Sequence, residues 1–226
     1  TVTNKRLLSL HRLGFNRLSF GVQDFDPHVQ VAVHRVQPQF QVEALMQSAR
    51  QIGFESINLD LIYGLPLQTP ESFERTLKSV VSMRPDRIAV YAYAHLPARF
   101  KTQRRTNAHE LPRPQDKVHM LAMAIDLLTQ AGYVYIGMDH FALPNDPLAV
   151  AKAQGRLHRN FQGYSTQPDC DLVALGVSAI GRIGPTYHQN AKTLEEYYDH
   201  IDQGRLPVAR GLALSQDDIL RRAVIM

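Results

Sequence analysis

The segment INLDLIYGLP, Ile57 to Pro66, sets one carboxylate, Asp60, in an otherwise apolar run. An ionised carboxylate buried without partners is strongly unfavourable, so Asp60 must be paired, hydrated or covered by a ligand. Arg17 and Arg35 are the cations that could pair with it in a purely structural role, and a capped loop would serve equally; a polar, cationic ligand lying over it is the functional reading. Ten histidines raise the question of a metal, with Asp139, His140 and His158 the best candidates. Their spacing matches no standard ligand pattern, so hydrogen-bonded histidines and no metal are expected. One cysteine, Cys170, can form neither an internal disulfide nor the multi-thiolate ligation of a zinc or iron–sulfur centre. No phosphate-binding glycine loop, Gly-x-Ser-x-Gly elbow or His-Glu-x-x-His pair occurs, which disfavours the common nucleophilic and hydride-transfer chemistries.

The 226 residues are 44% hydrophobic and 20% charged, enough to bury a sizeable core. No stretch approaches the roughly 20 apolar residues of a membrane-spanning helix, and no secretion pattern opens the sequence, so a cytoplasmic setting without membrane contact is expected. Twenty-five Lys and Arg against 21 Asp and Glu give a formal charge of +4. The densest basic stretch, RFKTQRR from Arg99 to Arg105, lacks interleaved aromatics beyond Phe100, and no nucleic-acid partner is expected. The last residues, DDILRRAVIM, have the pattern of an amphipathic helix broken off, so the chain reads as an excerpt of a longer protein.

The elements that would position Asp60 follow from punctuation. An amphipathic stretch, then Gly with an aromatic, then a β-rich run recurs at Gly14, Gly53 and Gly132, the second interval being close to twice the first, and DRIAVYAYAH from Asp86 supplies the strand between. Glycine just past a helix is a left-handed cap. Thr69 with Pro70, and Asp26 with Pro27, are helix starts, and Phe73, Leu77, Val80 and Val81 form an apolar stripe behind the first. A helix from Pro114 is predicted to bury Val118, Leu121, Ile125 and Leu128 before Gly132. Strands alternating with such helices imply a parallel sheet. Within it Leu59, Leu61 and Tyr63 share one face and Asn58, Asp60 and Ile62 the other, as Leu18, Phe20 and Val22 oppose Arg17, Ser19, Gly21 and Gln23. One greasy face and one that turns small or polar at the strand ends is the asymmetry of a βα barrel; a doubly wound sheet is the second choice. LHRNFQGYSTQ, Leu157 to Gln167, reads as a loop with ordered side chains, and Gly176, Ser178, Ala179 and Gly181 allow close backbone approach.

Six blocks in order, GFNRLSFGVQDFDPHVQVAVHR, NLDLIYGLPLQTPESFERTL, YAYAHLP, GYVYIGMDHFA, LHRNFQGYSTQ and DLVALGVSAIG, together resemble the oxygen-independent coproporphyrinogen III oxidases, radical S-adenosylmethionine enzymes of haem biosynthesis. The GVQ and DLIYGLP blocks resemble a wider group that includes haem chaperones, whereas HRNFQGYSTQ and MDHFA resemble the oxidase branch. The resemblance implies an α/β fold: part of a radical S-adenosylmethionine βα (partial TIM-type) barrel, its C-terminal βα units in residues 1–110, followed by an α/β extension on the substrate side in residues 111–226. It further implies a 4Fe-4S cluster, two S-adenosylmethionine molecules per chain, a 5′-deoxyadenosyl radical that removes hydrogen from two propionates of coproporphyrinogen III, an electron-donor protein and a monomeric working unit. Carried over by position, Gln23, Arg35, Asp60 and Ala94 line the second S-adenosylmethionine and Ile180 contacts the first. Arg99, Lys101, Arg104 and Arg105 are candidates for substrate carboxylates. The family's Cys-x3-Cys-x2-Cys loop lies upstream of the matched region and is absent here; Cys170 fits no cluster pattern, so the chain alone is expected to be inactive. A haem chaperone on the same barrel, or a βα fragment without activity, is the alternative.

Overall fold

The structure is a computed structural model that describes residues 2–167 and 170–225. They fall into two compact units, residues 1–153 and 154–226. The first unit contains, in chain order, α1 (Asn4–Arg12), β1 (Arg17–Gln23), α2 (Pro27–Ala32), α3 (Gln39–Ile52), β2 (Ser56–Tyr63), α4 (Pro70–Met83), β3 (Arg87–Ala92), α5 (Pro114–Gln130), β4 (Val134–Gly137), β5 (His140–Ala142) and α6 (Pro147–Ala153). Its sheet has the order β1-β2-β3-β5-β4. β1, β2 and β3 are parallel, while β5 runs antiparallel to both neighbours.

Local chemistry explains most of these boundaries. Gly53, with φ 106, takes the left-handed turn that ends α3. Thr69 accepts from the Ser72 N–H, and the Ser72 hydroxyl accepts from the Thr69 N–H, so a reciprocal capping box starts α4 with Pro70 at its first position. Asp26 caps α2 through the His28 N–H. Phe73, Leu77 and Val80 of α4 are buried, as the stripe requires, against a core shared with Phe20, Leu59, Leu61, Ile88, Val90 and Phe141 of the sheet.

Two expectations for the first unit change. The buried line of α5 is Met120, Ala124 and Leu128, whereas Val118 is 70% exposed and Leu121 and Ile125 are half-buried. α5 packs on both α4 and the sheet, so its buried face is turned from the one that hydrophobicity alone selects. The third glycine repeat also departs from helix-then-parallel-strand. Its β-rich run folds back on itself at Met138 and Asp139, with Met138 at φ 49, and β5 inserts between β3 and β4. Because β5 hydrogen-bonds to β3, the compact unit continues past residue 110 to residue 153. The Arg87–Asp146 ion pair, 2.8 Å, ties β3 to the start of α6, where Asp146 also accepts from the Leu148 N–H.

The second unit comprises β6 (His158–Asn160), β7 (Gly163–Ser165), β8 (Ile180–Ile183), β9 (Thr186–Asn190), α7 (Leu194–Asp202), β10 (Val208–Ala213) and α8 (Gln216–Ile225). β10, β9 and β8 form an antiparallel sheet, and β6 pairs with β7. The segment read as a loop is thus a hairpin. The Asn160 side-chain oxygen accepts from the Gln162 and Gly163 N–H groups and holds its turn; three-residue strands are too short to show alternation in sequence.

Tyr133, buried beside the core, donates its hydroxyl proton to the buried Pro85 carbonyl at 2.8 Å, and burial pushes its pKa up from 10.0 to about 12. A phenol whose folded-state value is raised contributes stability fully below the unfolded value and loses it as pH climbs through the folded one; from pH 10 to 12 that is about 2–3 kcal/mol. Tyr133→Phe is therefore expected to lower unfolding stability by about 1–2 kcal/mol at neutral pH and to flatten the alkaline decline, measured by urea titration across pH 7–12.

Candidate functional site

Asp60 sits on the polar face of β2 as the alternation requires. Leu59, Leu61 and Tyr63 are buried, and Asn58, Asp60 and Ile62 are half-buried. The carboxylate pairs with neither Arg17 nor Arg35. Its Oδ2 accepts from the Ser19 hydroxyl at 2.9 Å and its Oδ1 from the Asn58 amide at 2.7 Å, while the same amide donates to Ser19 Oγ at 2.9 Å. Both donors are neutral side chains, and the carboxylate lies on a half-open face. The other end of Asn58, Oδ1, is buried without a hydrogen-bond partner.

Gly21 is the in-register partner of Asp60 on β1, and beyond it the strand bulges. The register jumps from Gly21↔Asp60 to Gln23↔Leu61, leaving Val22 as the extra residue. Val22 enters the core and Gln23 turns left-handed, with φ 64. Such a conformation costs a β-substituted residue about 1–3 kcal/mol and persists only where the surroundings enforce it. The result is that the Gln23 amide lies over Gly21, where an added Cβ would meet Gln23 Nε2 at 2.7 Å and Arg35 Nη2 at 3.1 Å. Gln23 Oε1 is buried and has no hydrogen-bond partner. Arg35 arrives from the far side of α2, its N–H closing on the Gln30 carbonyl and its Nη2 donating to the Gly21 carbonyl at 2.8 Å. Gln23, Arg35 and Asp60 therefore share one end of one face.

What holds that end is a residue the sequence reading overlooked. Asp24, 1% exposed, accepts from the Asp26 N–H and the Thr76 hydroxyl at Oδ1, 2.6 and 2.8 Å, and from the Gln68 amide at Oδ2, 2.5 Å. Burial pushes its carboxyl above the ordinary range and these donors pull it back. Gln68 also donates to the Ile62 carbonyl and accepts from the Gly64 and Leu65 N–H groups, which fixes the YGLP turn after β2. Gln30 donates to the carbonyls of Asp24 and Gln37 and accepts from the Gln37 N–H, closing the loop that carries Arg35. A polar residue directly after a strand with a capped helix two residues on was the available signal.

The next strands extend the row. Asp60 is in register with Ala89, and Ala89 with His140. Tyr91 stands edge-on to the His140 ring, 5.9 Å between centroids. Burial raises the Tyr91 pKa, and the charges of Asp60 and Asp139 push it the same way. Ala94 lies two residues past β3, at the same end of the parallel strands, exposed, with its carbonyl taken by the Gln103 amide at 3.0 Å. Arg99, Lys101, Arg104 and Arg105 are exposed on the segment that follows. Ile180 belongs to the second unit, on β8, where its carbonyl accepts from the Gln162 amide. Among the described residues no three His, Cys, Asp or Glu side chains form a metal-binding group, and Cys170 is exposed. This end of the first unit thus gathers unpartnered acceptors at Gln23 and Asn58, a carboxylate and one guanidinium, the chemistry that would suit a ligand with hydroxyl or ammonium donors and a carboxylate.

Residues 1–80 match the model of the Radical SAM superfamily. Across nearly its whole length the chain is homologous to oxygen-independent coproporphyrinogen III oxidases. It is 55% identical over 216 residues to the one from Pseudomonas aeruginosa, covering 96% of this chain and 47% of that protein. With the Escherichia coli one it shares 56% over 212 residues, covering 94% and 46%. The solved Escherichia coli coproporphyrinogen III oxidase, described as a radical SAM enzyme, superposes with a TM-score of 0.89 at 54% identity, covering 99% of this chain and 52% of that one. The chain spans about half the length of these relatives.

Gly21→Ala is expected to push the Gln23 amide away from Gly21 and the Arg35 guanidinium off the Gly21 carbonyl in a crystal structure of the variant. Stability should fall by no more than about 1 kcal/mol in denaturant, because the obstructing atoms are the ends of flexible side chains.

Proposed function

We propose that this chain is the part of an oxygen-independent coproporphyrinogen III oxidase that holds S-adenosylmethionine and faces the porphyrinogen, its β1–β3 sheet being a segment of the radical SAM barrel. The observation that carries the reading is the convergence of Gln23, Arg35 and Asp60 on one strand-end face, in a chain 55% identical to oxidases so named. The side chains fit the ligand. Arg35 offers its remaining N–H groups to the amino-acid carboxylate, Gln23 Oε1 is an unpartnered acceptor for the ammonium group, and Asp60 with Asn58 Oδ1 accepts from ribose hydroxyls. Ala94 contributes through backbone and shape from the neighbouring strand end, and Ile180 toward a further S-adenosylmethionine from the second unit.

With one exposed cysteine, the chain leaves the ligation of a 4Fe-4S cluster to residues outside these 226. Cluster and S-adenosylmethionine together supply one-electron chemistry able to remove hydrogen from an unactivated carbon. The residues here would orient the adenosyl ligand and shield the reacting carbon while each of two propionates gives up a hydrogen atom, carbon dioxide and one electron, the electron passing to an acceptor outside this chain, to become a vinyl. The mild positive charge and the exposed Arg99, Lys101, Arg104 and Arg105 suit a substrate with four carboxylates. An electron-donor protein, a single-chain working unit and a cytoplasmic setting complete the proposal; no helix of the described residues is long and apolar enough to cross a membrane.

The decisive assay is anaerobic conversion of coproporphyrinogen III by the full-length protein with reductant and S-adenosylmethionine. Release of carbon dioxide with protoporphyrinogen is the expected result; stoichiometric capture of haem without carbon dioxide would identify a chaperone instead. In the same protein Asp60→Ala is expected to weaken S-adenosylmethionine binding at least about tenfold, the loss of one or more charge-assisted hydrogen bonds, with iron content unchanged. Unaltered affinity would remove Asp60 from the site.

A further inference from the structure

Asp24 touches neither face of the candidate site, yet its buried carboxylate is where three chain segments meet. It follows directly on Gln23, whose left-handed backbone re-aims the amide over Gly21. Its main-chain carbonyl is held by Gln30, which also closes the loop bearing Arg35. Its side chain is held by Gln68, which fixes the turn after Asp60's strand, and by Thr76 of α4, whose hydroxyl also accepts from the Phe25 N–H. We propose that Asp24 is a positioning residue that sets the direction of Gln23 and Arg35 toward an adenosyl ligand through this Gln30–Gln68–Thr76 network. The proposal rests on the reading that Gln23 and Arg35 hold S-adenosylmethionine.

The geometry demands a carboxylate and not merely a polar group of that shape. Oδ1 faces the Asp26 N–H and the Thr76 hydroxyl, and Oδ2 faces the Gln68 amide nitrogen. An amide introduced by Asp24→Asn would set its NH2 against the Gln68 NH2 in one orientation and against the Asp26 N–H in the other. Turning Gln68 over does not relieve the conflict, because its oxygen already accepts from the Gly64 and Leu65 N–H groups. The substitution leaves volume unchanged and reverses one hydrogen bond, so the network must shift, and with it the bulge that places Gln23.

In the full-length protein, Asp24→Asn is expected to raise the KM for S-adenosylmethionine about tenfold or more while kcat at saturation stays within about threefold and iron content is unchanged, the split of a displaced binding group. A variant with a lower melting temperature but unaltered KM would overturn the proposal and leave Asp24 a stability residue only. Should Asp24→Asn fail to fold, Thr76→Val decides: it removes at constant shape the hydroxyl that donates to Asp24 and accepts from the Phe25 N–H, a raised KM supports the proposal, and an unchanged one overturns it. Gln23→Ala and Arg35→Ala separate the two layers. If they leave the KM unchanged, the ligand reading itself falls; if they raise it and Asp24→Asn does not, only the positioning role falls.

Discussion

Burying a carboxylate away from any cation is unfavourable unless several donors converge on it, and in this fold that requirement organises one end of the sheet. Among the described residues Asp24 makes no ion pair, so its charge is balanced by an N–H of its own loop, a hydroxyl from α4 and an amide from the turn after β2. Each donor belongs to a different segment. Satisfying the carboxylate therefore brings those segments to fixed positions, and the backbone of Gln23 is held in a conformation it would not adopt alone.

The sheet that results has two unlike faces. One is packed by α4 and its neighbours into a core around Leu59, Leu61 and Phe73; the other carries half-buried Asn58, Asp60 and His140 with exposed Ser19 and Tyr91 beside them. Asp60 is acceptable in an apolar strand because β-alternation takes it out of the core, and two neutral donors satisfy part of its hydrogen-bonding capacity without cancelling its charge. Arg35, which could have neutralised it, is held instead on the Gly21 carbonyl. The face thus keeps an anion and a cation apart, each with capacity left for a zwitterionic ligand.

Local signals made much of this legible in sequence. Thr69 with Pro70, Asp26 with Pro27 and the left-handed Gly53 act within a few residues, and alternation in β1 and β2 sorts Asp60 from Leu59 without knowledge of the partner strands. What depended on distant partners was not legible. The rotation of α5, which exposes Val118 and buries Met120, is set by two packing surfaces at once. The reversal into β5 turns on a two-residue connection, and the hairpin at 158–165 on strands too short to announce themselves. Asp24 escaped notice because nothing in GVQDFD shows that Gln68 and Thr76, more than forty residues on, will surround it. Gln23, Arg35 and Asp60 are placed together by the structure, whereas Ile180 lies in a separate unit.

The reversed strand β5 has its own implication for how this surface can diversify. Elsewhere at this end of the sheet the chain leaves through connections to helices, as after Gln23 and Tyr63, and such connections absorb inserted residues while the strands stay in register. At β5 the same edge is formed by a hairpin bend of Met138 and Asp139, with Asp139 donating no slack: its carbonyl accepts from the Val90 N–H. An added residue that slipped β5 by one position along β3 would carry every side chain of β5 to the opposite side, sending Phe141 out and His140 in. This flank is consequently constrained in length and free to vary only in side-chain identity, whereas its neighbours can vary in both.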